Sequence, residues 1–600
     1  MPNILTDLVS KNATTAPNRE AYRDNTSGRW VSSTWEEVKQ RRDCVAYALE
    51  ILGIRECDNI NIFSANRAEF LITDFACYAN RIVPISIYAT STPDQVAYIV
   101  NDSSAKLIFT GDQSQYDKVR EVVGRCPSLQ RIITYSDTIV RDKDDNTTMT
   151  FDDLLALGCK ASEACRQEVA DRTARSTAED IATIIYTSGT TGEPKGAVLP
   201  HSCFNFTLPV HERRLTMLSA DDTSLCFLPM SHIFEKAWTY FCLYRTMIVG
   251  INNNPHEVQR AVKEFHPTCM CSVPRFWEKV YTAIQERLAD MKGFKRWMVS
   301  RALKIGKKRN LDYLRAGRKA PWWIEKQYQF FDKRVFGALR HVIGITNPNL
   351  FPTAGAPLSG TIVEFLHSCG FNIMIGYGLS ETTATVTCFP NTGYEIGTIG
   401  TPLPGVEVKT GEEDEILVKG PTVMRCYYNK PEATAEAFTS DGWFRTGDAG
   451  RIDESGALVL TERIKDLFKT SNGKYIAPQA LESRLGEDKF IEQVAVIGDQ
   501  RKYVTAIIIP AFEALKEYAR KKHIQYRNVE ELIRNTDIRK MLQERIDRLQ
   551  QGFATFEQIK KFTLLPKEFT MEAGELTNTL KIRRPVINHR YASEIEAMYA

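Results

Sequence analysis

The chain has 600 residues, of which 43% are hydrophobic and 25% charged; that is ordinary globular composition, which excludes wholesale disorder, and at ~150 residues per unit it allows about four domain-sized units. A net charge of +3 identifies no partner. No apolar run reaches the ~18 residues of a membrane-spanning helix, because Phe70 to Tyr88 is broken by Asp74, Arg81 and Pro84.

The N-terminal residues show no basic region followed by an apolar core, so no secretory signal is expected. The fourteen cysteines are scattered and form no C-x-x-C pair, which points to reduced thiols in a cytoplasmic protein. From Asp58 to Thr110 the pattern alternates. Ile60 to Phe63 reads as a strand, Ala65 to Tyr78 as a helix, Ile82 to Ile85 as a strand, Pro93 to Val100 as a helix and Lys106 to Phe109 as a strand. Such alternation predicts a doubly wound α/β layer with a parallel sheet. Ile181 to Tyr186 is a further strand, feeding a loop of glycines and hydroxyls.

Between Met291 and Arg340 stand fifteen Lys or Arg against three acids, so the rest of the chain is net acidic. Trp297, Trp322, Trp323, Tyr328, Phe330 and Phe331 lie among those charges. Basic side chains with interleaved aromatics suit an anionic membrane surface; a solvated helical hairpin with inward aromatics fits equally well. No nucleic-acid module is readable, and no nucleic-acid partner is expected. From Gly397 to Leu460, short strands between Gly, Pro and Asp turns predict a small antiparallel or barrel-like unit. Beyond the polar stretch Asp466 to Gly473, strands at Gln493 to Ile497 and Val504 to Pro510 and an amphipathic helix at Ile538, Leu542, Ile546 and Leu549 make a last domain-sized unit.

The loop after Ile181 to Tyr186 is the most informative stretch. In Thr187-Ser188-Gly189-Thr190-Thr191-Gly192-Glu193-Pro194-Lys195-Gly196, glycines let backbone N–H groups approach phosphate oxygens, hydroxyls add donors, and Lys195 supplies positive charge. The spacing is not that of a Walker A loop. The string from Tyr186 resembles, without mismatch, the phosphate loop of the adenylate-forming superfamily of acyl-CoA synthetases, adenylation domains and luciferases. The resemblance covers most of the chain and implies a large N-terminal domain, residues 1–464, and a smaller mobile α+β domain, residues 465–600.

Further strings carry the resemblance. Gly355-Ala356-Pro357-Leu358 looks like the segment along the adenine edge. Gly376-Tyr377-Gly378-Leu379-Ser380-Glu381-Thr382 looks like the segment whose Tyr stacks on adenine and whose Glu binds magnesium, a fit for a carboxylate sharing Mg²⁺ with phosphates. Asp448, in Trp443-Phe444-Arg445-Thr446-Gly447-Asp448, matches the acceptor of both ribose hydroxyls. Arg463 matches a nucleotide-contacting Arg and Lys465 the interdomain hinge. Lys581, in Leu576-Thr577-Asn578-Thr579-Leu580-Lys581, matches the catalytic lysine; by residue type alone it reads as a solvated surface lysine. The resemblance thus implies that ATP, Mg²⁺ (at Thr187 and Glu381) and coenzyme A are used. The acyl-adenylate forms with Lys581 and Lys195 opposing anionic charge, and rotation about Lys465 then brings the loop around Lys469 to Lys474 to the site for attack by the coenzyme A thiol.

Three features point to a long-chain fatty acid as the acyl group. Leu228 to Lys236 and Val273 to Lys279 are similar to the long-chain branch. Ile233 occupies what looks like the place of the Asp that amino-acid-activating relatives use. The basic segment, residues 290–340, sits where long-chain members carry an insertion. His232 and Gly376 are the expected substrate-side residues, with a core role open for His232. The segment Met424-Arg425-Cys426-Tyr427-Tyr428 lacks a glycine usual in the family, and Lys474 replaces a common Glu; neither is a ligand position. A fatty acyl-AMP ligase loading a carrier protein and a catalytically silent lipid- or nucleotide-binding relative are the alternatives. The expected location is cytoplasmic, with peripheral contact at the inner membrane face through Met291 to Arg340.

Overall fold

A computed structural model describes residues 3–142, 145–187, 193–463, 467–471, 474–571, 573–577 and 581–600, the side chains of Glu462 and Arg463 excepted. The alternating segment folds as its pattern predicts. Five strands, Val83–Ile87, Asn59–Phe63, Leu107–Thr110, Arg131–Thr134 and Thr148–Thr150, lie side by side in that spatial order, all parallel. The first three are buried along their whole length, as expected where helices cover both faces of a sheet. Local chemistry fixes where helices begin. Thr92 with Gln95, Asp112 with Gln115 and Thr150 with Asp153 form reciprocal capping boxes, each satisfying two orphan N–H groups.

The remaining sheets arrange the site. Ile181–Thr187 and Lys195–Pro200 form an antiparallel hairpin, in register from Thr183 opposite Leu199 to Thr187 opposite Lys195. Phe351–Thr353 and Ile373–Tyr377 pair in parallel. Glu407–Thr410, Glu415–Lys419, Phe444–Ile452 and Leu458–Arg463 make a four-stranded antiparallel sheet. In the C-terminal part, Ile491–Ile497, Val504–Pro510 and Ile559–Leu564 form a three-stranded sheet, with the amphipathic helix Thr536–Leu549 packed on it through Ile538, Leu542 and Ile546.

The apolar clusters divide along the chain. Three draw on residues up to Leu458 and two on residues from Phe468 onward. Ion pairs link the two parts: Arg275 to Glu492 at 2.7 Å, Lys279 to Glu492 at 3.3 Å and Lys489 to Glu286 at 3.7 Å. Arg275 also donates to the Glu492 carbonyl at 2.9 Å.

One expectation is corrected. The thiols are not all free, because Cys44 and Cys159 form a disulfide across 115 residues of sequence. The helices Trp35–Ile51 and Phe151–Cys159 that carry them approach so closely that a Cβ on Gly158 would lie 1.7 Å from the Cys44 carbonyl oxygen. Among the described residues, no helix is long and apolar enough to cross a membrane.

Candidate active site

The hairpin register makes Thr187 and Lys195 cross-strand neighbours at the mouth of the phosphate loop. Ser188, Gly189, Thr190, Thr191 and Gly192 lie outside the described residues. Gly196 is required by packing: a Cβ there would sit 2.7 Å from Ile184 Cγ2 and 3.1 Å from the Tyr186 ring. Residues 424–428 lie along the outer edge of this hairpin. Arg425 N donates to Val198 O at 3.0 Å, Val198 N to Cys426 O at 2.9 Å and Tyr428 N to Gly196 O at 2.7 Å.

The residues expected on the adenine side sit at the ends of the parallel pair. Gly355 follows Phe351–Thr353 with φ +94°, a conformation that favours glycine, and Ala356 and Pro357 beside it are exposed. Tyr377 ends Ile373–Tyr377. Gly378 next to it admits no side chain, since a Cβ would lie 2.1 Å from Ala384 O. Ser380 and Glu381 follow in a single 3₁₀ turn. The Tyr377 hydroxyl donates to Asp448 Oδ2 at 2.7 Å, so the base-side and ribose-side residues of the two sheets meet directly. Asp448 is 5% exposed. Arg463 pairs with it across the strand ladder; the Arg463 side chain and Lys465 lie outside the described residues.

Glu381 accepts from the Tyr427 hydroxyl through Oε1 at 2.8 Å, and its carbonyl accepts from Met424 N at 2.7 Å. Among the described residues no group of three or more His, Cys, Asp or Glu could hold a metal ion. A lone carboxylate such as Glu381 suits an ion shared with substrate phosphates, as Mg²⁺ commonly is, and not a resident all-protein site.

His232, the residue expected on the substrate side, caps the helix Ile233–Tyr244, its Nδ1 accepting from Phe234 N at 3.2 Å. A neutral imidazole that accepts at Nδ1 carries its proton on Nε2. Burial, reinforced by the positive charge of Lys581, holds the His232 pKa down at about 4, so the ring is neutral near pH 7. Lys581 is exposed, and its N–H donates to Thr577 Oγ1 at 3.0 Å. An apolar cavity opens beside the helix, lined by Phe234, Trp238, Phe241, Met374, Gly376 and Tyr377. The structure thus brings Gly376 and Tyr377 to one space, whose lining includes His211 and not His232.

Three residues that sequence reasoning missed shape this site. Tyr427 touches Glu381 and places its ring 5.2 Å from Lys195 Nζ. Asn66 pins the loop before His232, donating to Leu228 O at 2.7 Å and accepting from Met230 N at 2.8 Å. Glu235, fully buried, accepts from Leu228 N at 2.9 Å, Thr239 Oγ1 at 3.1 Å and Cys271 Sγ at 3.4 Å. Burial pushes its pKa up to about 7. In sequence each reads as an ordinary polar residue; only the Leu228-to-Lys236 string marks the neighbourhood of Glu235.

The basic segment forms helices Gly293–Lys307 and Trp322–Phe331 with π-helical turns after each. Its aromatics divide. Tyr328, Phe331 and Phe336 pack inward, while Phe294 (71% exposed), Trp297 (60%), Trp322 (73%) and Trp323 face out. Several cations are engaged within the fold: Arg309 is bidentate to Glu325 and lies over the Tyr328 ring, Lys307 pairs with Glu364 and Arg340 with Asp332.

Comparison with known proteins agrees with this geometry. The AMP-binding enzyme profile matches residues 9–428, and the AMP-binding enzyme C-terminal domain profile matches residues 465–600. The chain is 33% identical over 592 residues to the long-chain-fatty-acid–CoA ligase FadD15 of Mycobacterium bovis, covering 97% of this chain and 95% of the relative. Identity to the human long-chain-fatty-acid–CoA ligase 1 is 29%, covering 95% and 82%. Among solved structures, the anthranilate CoA ligase AuaEII in complex with anthranoyl-AMP superposes with a TM-score of 0.72 at 18% identity, over 99% of this chain and 98% of that one. The adenylation domain of a carboxylate reductase from Mycobacterium chelonae gives 0.76 at 20% identity, over 99% and 91%. These two share the fold, a large N-terminal domain followed by a smaller C-terminal one. The chain belongs to the AMP-binding enzyme family.

Proposed function

We propose that this protein is an ATP-dependent long-chain fatty acid–CoA ligase, which forms acyl-CoA through an acyl-adenylate and releases AMP and pyrophosphate. A carboxylate cannot be attacked usefully by a thiol, because oxide would have to leave; joining it to AMP supplies a good leaving group. The first step brings two anions together, so charge compensation and positioning govern its rate. The observation that carries the reading is the likeness, over 97% of this chain and 95% of the relative, to a long-chain-fatty-acid–CoA ligase.

Each residue then has a task suited to its chemistry. Lys195 compensates phosphate charge. Asp448, an acceptor-only group, takes the ribose hydroxyls while Tyr377 stacks on the base. The Nε2–H of neutral His232 donates toward the substrate carboxylate, and Lys581 bridges that carboxylate and the α-phosphate. Mg²⁺, which Glu381 and Thr187 would hold, supplies further neutralisation of phosphate charge. In the second step the coenzyme A thiol attacks the acyl carbon and AMP leaves. Rotation at Lys465 withdraws Lys581, after the Glu492 contacts to Arg275 and Lys279 part. The full-length relatives are named CoA ligases, which favours coenzyme A over a carrier protein as acceptor.

The protein works in the cytoplasm and takes its substrate from an anionic membrane surface. Exposed Phe294, Trp297, Trp322 and Trp323 in a segment rich in Lys and Arg support this contact. Because Lys307 and Arg309 are engaged in ion pairs, the surface aromatics are the cleaner probe. Replacing Trp322 and Trp323 by Ser should weaken binding to vesicles containing acidic lipid; unchanged binding refutes the contact.

The decisive assay is AMP release from ATP and palmitate, with and without coenzyme A, in wild type and Lys581→Ala. Turnover that needs coenzyme A, with adenylation falling at least about 100-fold in the variant, is expected. Turnover indifferent to coenzyme A would refute the ligase.

A further inference from the structure

Lys195 and Glu381 carry opposite charges on adjacent parts of the site, yet they are not within ion-pair distance of one another. Each instead engages Tyr427. Glu381 accepts from the phenol at 2.8 Å, and the Lys195 ammonium lies 5.2 Å from the centre of the ring. The phenol O–H of Tyr427 is the donor in the bond to Glu381. The backbone gives it no freedom to drift. Tyr427 bridges to Ala197, its N–H donates to Thr434 Oγ1 at 3.0 Å, and the flanking residues are bonded to the strand that carries Lys195. Met424, three residues earlier, donates to the Glu381 carbonyl. The segment is therefore tied at one end to the Lys195 strand and at the other to the Glu381 turn.

A lysine and a carboxylate left to themselves in a half-buried cleft would pair, and each would cancel the charge the other needs to present to a metal-bound nucleotide. An aromatic ring attracts the cation on its face, while a phenol hydroxyl binds the carboxylate at the ring edge. One residue can thus satisfy both groups and keep them apart. We propose that Tyr427 is a positioning residue that separates Lys195 from Glu381, holding the lysine for phosphate and the carboxylate for magnesium. This rests on the roles given to Lys195 and Glu381 above.

The test compares Tyr427→Phe with Tyr427→Leu in the full-length protein. Two readouts serve: calorimetric binding of a non-hydrolysable ATP analogue with and without Mg²⁺, and the Mg²⁺ concentration giving half-maximal pyrophosphate–ATP exchange. Tyr427→Phe keeps the ring and frees the carboxylate, so the half-maximal Mg²⁺ concentration should rise about 3- to 10-fold, with metal-free binding of the analogue unchanged. Tyr427→Leu also frees the lysine and should weaken metal-free binding as well. A Tyr427→Phe protein with wild-type magnesium dependence and wild-type binding would overturn the proposal, and this variant decides the matter even where the leucine variant does not fold. If wild type fails to bind the analogue with Mg²⁺, the ligase reading fails instead. A lowered melting temperature with unaltered magnesium dependence would mark Tyr427 as purely structural and also overturn the inference.

Discussion

The helix Ile233–Tyr244, capped by His232 and lining the apolar cavity, is anchored from its far side by a buried ion pair. Lys236 and Asp74 are 1% and 0% exposed. Tyr240 donates to Asp74 Oδ2 at 2.8 Å and accepts from Lys236 Nζ at 3.1 Å, while Asp74 Oδ1 has no hydrogen-bond partner among the described residues. Replacing Lys236 by Met would leave the carboxylate with Tyr240 as its one remaining donor among the bonds described. Breaking one half of a buried pair costs about 3–5 kcal/mol. A second route gives the same size. If Asp74 instead takes a proton, holding it neutral at pH 7 costs about 1.4 kcal/mol for each of the ~3 pH units above the ordinary aspartate value, or about 4 kcal/mol. The sign follows. The variant's carboxyl has its folded pKa raised, so its stability falls as pH rises above the unfolded value. The deficit relative to wild type should therefore shrink by about 1.4 kcal/mol per unit as pH is lowered from 7 toward 5. Adding Asp74→Asn should recover most of the loss and abolish its pH dependence. All eight tryptophans lie at or before Trp443, so urea unfolding followed by tryptophan fluorescence reports on this part of the chain alone. A loss below about 1 kcal/mol, a deficit independent of pH, or a double variant no better than the single would refute the reasoning.

Three further outcomes are expected. Glu235, whose folded pKa is raised to about 7, should make wild-type stability decline between the unfolded glutamate value and pH 7 by on the order of 3 kcal/mol; Glu235→Gln should flatten that decline, and parallel urea midpoints across pH in both proteins would contradict it. Gly378→Ala forces a Cβ to 2.1 Å from a backbone oxygen, and should weaken ATP-analogue binding at least about 10-fold, as read by fluorescence titration. Glu492→Gln removes two of the ion pairs joining the C-terminal part to the helix Pro274–Asp290, and should slow adenylation about fivefold while leaving attack of coenzyme A on preformed acyl-adenylate intact, measured by stopped-flow on each half-reaction.

Much of this architecture can be read from the chain because its cues are local. The parallel sheet announces itself in bare apolar strands set between helices, and the phosphate loop in an uninterrupted string of small residues. Gly355 illustrates why such strings survive: its backbone has φ +94°, where a side chain is strained. What could not be read depends on distance or direction. Cys44 and Cys159 are 115 residues apart, and nothing near either marks the other. Lys236, Asp74 and Glu235 look like surface charges in sequence, since charged residues rarely lie fully buried without partners, and the partners emerge only from the fold. Tyr427 reads as an ordinary strand aromatic. In the basic segment the count of charges was plain, but which rings turn inward is decided by helix packing.

The hydrogen bond from Tyr377 to Asp448 has a mechanical consequence. It ties the end of Ile373–Tyr377, a strand paired in parallel with Phe351–Thr353, to a strand of the antiparallel sheet at Glu407–Arg463, so the two sheets are clamped by a bond about 3 Å long that tolerates little shear. Slippage of one sheet against the other by an ångström would sever it and leave a carboxylate, 5% exposed, short of a donor. Substitutions that loosen the outer sheet far from any substrate should then surface as weakened nucleotide affinity, with every residue of the phosphate loop intact.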